Sequence, residues 1–169
     1  MLSTFYSTVA QVCFVLLGLW WVVVQFKFEP WMGDPRRRRT SRHVSLYFLL
    51  PGIMSLFALL SSRITTLWRI GFGAAALLGV AEAILALLGP NHETRPSRRA
   101  TTALTGLMYL LIAIVALAPS IASGLPGEPK RIEVEGILVS ILLFVGTAYA
   151  WVMFIELPAA TGDAPGTNR

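Results

Sequence analysis

The chain contains five apolar runs, each long enough to cross a bilayer as a helix, with only short polar links between them. A hydrocarbon core about 30 Å thick takes roughly 20 apolar residues in a helix. The runs cover approximately residues 4–26, 44–62, 68–88, 102–123 and 134–157. Charged residues make up 14% of the 169, against about 25% in an ordinary soluble domain. So few charges cannot coat a globule of this size, which argues against a soluble enzyme. The high apolar content likewise argues against a disordered or collagen-like chain. The expected fold is all-α: a multi-pass integral membrane protein, with one bundle of five transmembrane helices over residues 1–157. Residues 158–169 are small, polar and rich in Pro and Gly, and are expected to form a flexible tail.

The first run lacks a basic leader and a clear small-x-small cleavage site, so it is expected to stay as a helix. The link from Arg63 to Leu67 is very short, which makes helices two and three a tight hairpin. Basic residues then set the orientation. Ten of the 14 Lys and Arg fall on the side of the first link, the third link and the C-terminus, and four fall on the other. The positive-inside rule places the N-terminus outside and the C-terminus in the cytoplasm, in a cell membrane. Trp20, Trp21, Trp31, Trp68, Tyr109, Tyr149 and Trp151 are candidates for the interfacial belt, with Trp31 and Trp68 at segment ends.

The net charge of +5 sits between membrane segments, which points to lipid headgroups rather than nucleic acid. Arg36, Arg37, Arg38, Arg39 and Arg42, together with Lys27, form a dense cluster at the inner end. Two readings stand for it: contact with anionic headgroups, or topology determination alone. Cys13 is the single cysteine. It cannot form an internal disulfide, and a thiol oxidoreductase would need a pair.

Glu82 lies about two-thirds along the third run with apolar or small residues on both sides. A carboxylate in a membrane helix must be paired, protonated or in contact with water. No basic residue is expected at its depth. An ion or proton site and a hydrogen-bonded structural lock are both consistent with this placement. In the same helix Gly71, Ala75, Gly79 and Ala83 recur every four residues. Such a strip lets backbones approach closely, either within the chain or between subunits.

Thr4, Gln11, Gly18 and Gln25 are spaced by seven along the first helix, with Thr8 nearby. Amides on one line can stand in for water around a passing ion or solute, or bond across helices. The second helix carries His43, Tyr47, Pro51 and Ser55 at steps of four, and Pro51-Gly52 is expected to kink it. Ser140 and Thr147 lie a heptad apart on the fifth helix, and Glu156 sits at its inner end. Gly71-Phe72-Gly73-Ala74-Ala75-Ala76 imitates a dinucleotide fingerprint but lacks the preceding strand that such a site needs. No phosphate loop, Gly-x-Ser-x-Gly, His-Glu-x-x-His or Cys-x-x-Cys is present. His43 and His92 both fall near the inner face, so no haem pair, metal or other cofactor is expected, although His92 and Glu93 are neighbours.

Three function classes follow. The first is an oligomeric ion channel or small-solute transporter, with Glu82, Gln11, Gly18 and Gln25 along the path. A five-helix bundle leaves little interior space, so a pore would form between subunits, which makes a homo-oligomer the expected state. The second is a non-catalytic subunit or scaffold of a larger membrane complex. The third is a lipid-modifying membrane enzyme, for which no nucleophile–base pair or carboxylate cluster is apparent.

Overall fold

The computed structural model describes residues 2–26, 35–60, 65–88, 96–118 and 131–155. All regular structure among the described residues is α-helical: α1 (Leu2–Phe26), α2 (Pro35–Leu60), α3 (Thr65–Leu88), α4 (Pro96–Leu117) and α5 (Arg131–Ile155). Each contains a stretch long and apolar enough to span a membrane. Two helices start well before their apolar runs, α2 at Pro35 rather than Val44 and α4 at Pro96 rather than Thr102. Both open on proline, whose fixed φ suits the first turn and whose missing N–H would have no partner there. Hydropathy marks the membrane span, whereas the helix also takes in the polar turns before it. The links, residues 119–123, Glu156, the tail, Trp31, His92 and Glu93 lie outside the described residues.

Helices α2, α3, α4 and α5 pack in a ring, each against the next, and α5 closes on α2. Helix α1 lies against α2 and touches α5 over the smallest of the helix interfaces. Consecutive helices run antiparallel. The end of α1 meets the start of α2, where Trp20 Nε1–H donates to the Ser41 carbonyl at 3.1 Å. Midway along, Gly52 of α2 fits against Cys13 and Phe14 of α1. The core between the helices is apolar and closed: Leu50, Met54, Phe72, Ile112, Val139 and Leu142 are all buried.

The four-residue strip on α3 is buried within the protomer. A Cβ added at Gly71 would lie 2.2 Å from the Phe57 ring, and one at Gly79 would lie 2.4 Å from the Tyr109 ring. Gly106 of α4 sits against Ala83. The strip therefore brings α3 onto α2 and α4. Pro51 lies inside α2, which continues as a helix to Leu60. Ser55, Ser140 and Thr147 each donate to the carbonyl four residues back, a local bond that satisfies a hydroxyl in an apolar setting.

Candidate functional site at the arginine end of the bundle

The start of α2, the end of α3 and the start of α4 converge at one end of the bundle. Because α2 begins at Pro35, Arg39, Arg42 and His43 are helical and stand level with the last two turns of α3. Arg42 Nη2 lies 3.1 Å from Glu82 Oε1. This corrects the expectation that Glu82 has no basic residue at its depth. The arginine belongs to a polar N-terminal extension of α2, and the antiparallel register of α2 and α3 brings the two together. The Glu82 side chain is 16% exposed and that of Arg42 is 61% exposed, so the pair spans the boundary between bundle and surroundings. One turn earlier, Arg39 donates to the Leu85 carbonyl of α3. A cation there suits the negative end of the helix dipole. Arg69 does the same at the opposite end, donating to the Ala116 and Leu117 carbonyls of α4 at 3.1 and 3.2 Å. Arg39 and Arg42 thus make specific contacts within the protomer. The side chains of Arg36 and Arg37 lie outside the described set, and Arg38 is exposed.

Inward from the Arg42–Glu82 pair lies a small cavity bordered by Glu82, His43, Tyr47, Thr105 and Tyr109. Its volume, ≈ 10 Å³, is near the ~10–15 Å³ that a single water requires. Two polar atoms of the bordering residues are buried without a hydrogen-bond partner: His43 Nε2 and Tyr109 Oη. The Tyr47 hydroxyl faces Thr102 and Thr105, and Thr105 donates to the Thr101 carbonyl at 2.8 Å. Buried polar groups in proteins are nearly always satisfied, so two orphans around one cavity mark an unusual site.

Aromatic packing holds these groups in place. The His43 and Tyr47 rings meet edge to face with centroids 5.0 Å apart, and Tyr149 of α5 lies 5.5 Å from Tyr47. Gly146 allows this, since a Cβ there would fall 2.8 Å from the Tyr47 Cβ. Trp20 joins Tyr47, Phe48 and Tyr149 in a buried aromatic cluster. Trp20, Tyr109 and Tyr149 therefore belong to the protein interior rather than to an interfacial belt.

No family model, curated protein or solved structure matches this chain. The site's chemistry must be read from its own residues. His, Glu and Tyr side chains all exchange protons, and the cavity they border is the size of one water. Among the described residues, no three of His, Cys, Asp or Glu gather as a metal site.

Gln11, Gly18 and Gln25 lie apart from this site. All three are exposed on α1, and a Cβ at Gly18 would meet nothing within 4 Å. Among the described residues, Gln11 bonds to Ser7 on the same helix, at 3.4 Å. The stripe thus faces outward from the protomer, whereas Glu82 faces α2 and α4.

Glu135 does not stand out in the hydropathy pattern. Its side chain is fully buried, at 0% exposure, near the start of α5. The signal was available in the spacing of 135, 139, 142, 146 and 149, all of which are buried in the structure. Hydropathy masks it because it sits beside exposed Glu133 at the polar edge of the run.

Proposed function

We propose that this is a multi-pass membrane protein that moves protons, alone or with a small solute, and that the cluster at the arginine end is its inner proton-exchanging site. The observation that carries this reading is the cavity where unpartnered His43 Nε2 and Tyr109 Oη meet the Arg42–Glu82 pair. Glu82 is partly exposed to the surroundings on one side and borders a water-sized space on the other, so its carboxylate can take a proton from one and release it to the other while Arg42 stays charged. The apolar core beyond it favours movement by conformational exchange over an open pore within one protomer. Under this reading the arginine end faces the cytoplasm, and exposed Arg38 meets anionic headgroups.

Glu82→Gln tests the proposal. It keeps the shape and a hydrogen bond to Arg42 but removes the charge. Proton flux into proteoliposomes, driven by a potassium diffusion potential and read with a pH-sensitive dye, is expected to fall roughly tenfold or more. Thermal stability should change by no more than about 1 kcal/mol, as for a partly exposed ion pair. Unchanged flux across a range of pH would remove the reading.

A second reading has its own observation. The exposed Thr4, Thr8, Gln11, Gly18 and Gln25 face of α1 places amides where hydrocarbon would surround them. Amides in that setting bond across helices. This fits a homo-oligomer, or a subunit of a larger complex, with α1 at the interface.

A further inference from the structure

At the end of the bundle opposite the arginines, Glu135 is enclosed by α5 and its neighbours with neither carboxylate oxygen hydrogen-bonded. Among the described residues, the groups around it offer no counter-charge. On α1, Tyr6 is the nearby titratable group, and its hydroxyl donates to the Ile132 carbonyl of α5 at 2.6 Å. On α2, the residues at this end, 51–60, carry no titratable side chain. Arg69 of α3 is committed to the two last carbonyls of α4, and no charged side chain of α4 is described at this end. Glu133 of α5 is exposed. A bare carboxylate in such a setting is expensive, and the group must be neutralised or must find a partner.

We infer that Glu135 is a proton-binding site serving the face of the membrane opposite the arginines, and that the Tyr6–Ile132 hydrogen bond is the latch that closes it. The proton is the one ligand that the closed site can hold. No second carboxylate, His or Cys among the described residues completes a metal site, and a divalent cation of the calcium type needs several more oxygens. The latch lies at the smallest helix interface in the bundle, between α1 and α5. Gly136 makes the close approach possible: a Cβ there would lie 3.1 Å from the Phe5 ring and 3.3 Å from the Tyr6 hydroxyl oxygen. When α1 lifts from α5, a proton from water adds to one carboxylate oxygen of Glu135. The closed bundle holds the neutral acid, and reopening returns the proton to water. No electron transfer and no third group are involved.

The test reads proton occupancy rather than transport, so it can fail or succeed independently of the inner site. N,N′-dicyclohexylcarbodiimide adds to a protonated carboxyl, and the O-acylisourea formed rearranges to a stable N-acylurea. The full chain in lipid vesicles is treated with this reagent and labelling is located by peptide mass spectrometry. Glu135 is expected to be labelled, less so as pH rises. Tyr6→Phe should speed labelling several-fold, the effect of losing one buried hydrogen bond. The infrared spectrum supplies a measurement that needs no opening: at neutral pH, Glu135→Gln should lose a protonated-carboxyl stretch that the unaltered protein shows. Absence of label at Glu135 at every pH in both the unaltered chain and Tyr6→Phe, or an infrared spectrum unchanged by Glu135→Gln, would overturn the inference.

Discussion

Glu82 and Glu135 are two carboxylates within spanning helices, near opposite ends of one bundle, and the structure treats them differently. Glu82 is partly exposed and held by Arg42. Glu135 is fully enclosed with both oxygens unpaired. The residue type is the same, so the difference comes from what the neighbouring helices bring alongside. At the arginine end, the polar extension of α2 supplies Arg39, Arg42 and His43 to the last turns of α3. At the other end, the described Tyr6 hydroxyl and Arg69 guanidinium donate to backbone carbonyls instead. A paired carboxylate adds modestly to stability, whereas an unpaired buried one reduces it. A stability cost of that kind is often found at functional sites.

The largest effect expected from challenging this comparison lies at the glycines that let the two clusters assemble. Gly79→Leu drives a side chain into the Tyr109 ring, already within 2.4 Å of a bare Cβ. It should cost roughly 3 kcal/mol or more through overpacking and backbone shift. Gly136→Ala at the other end meets its neighbours at 3.1 and 3.3 Å, so a few tenths of an ångström of adjustment suffice and the cost should be about 1 kcal/mol. Thermal unfolding in detergent ranks the two. Equal costs would mean that the ends are packed alike.

Much of this bundle was legible because hydropathy reports length and apolarity directly. The five runs match the five helices among the described residues. The period of four on α3 identified the surface that α2 and α4 cover. Two features were not legible. The register between α2 and α3, which sets Arg42 beside Glu82, depends on how far a polar, proline-led segment stays helical, and hydropathy is silent on that. The second is the isolation of Glu135, a property of several helices at once. Its place on a buried stripe could be read from spacing, but the absence of a partner could not.

A smaller effect is expected at the α1 face, which belongs to neither cluster. In a Cys13→Ala background, cysteines at Gln11, Gly18 and Gln25 are expected to cross-link between protomers in membranes, and cysteines at half-buried Leu16 and Val23 are not. Stability should change by about 1 kcal/mol or less, as for exposed helix positions. Equal cross-linking at all five positions would show that this face carries no ordered interface.

The most direct test of the contrast is the same substitution at both carboxylates, Glu82→Leu and Glu135→Leu, with thermal unfolding measured side by side in lipid nanodiscs at neutral pH. Glu82→Leu strips Arg42 of its partner and should destabilise by about 1–2 kcal/mol, limited by the exposure of the arginine. Glu135→Leu removes a buried group that nothing satisfies and should be neutral or stabilising by about 1 kcal/mol. Opposite signs are the predicted result. Comparable destabilisation at both positions would mean that Glu135 has a structural partner, and would contradict the account.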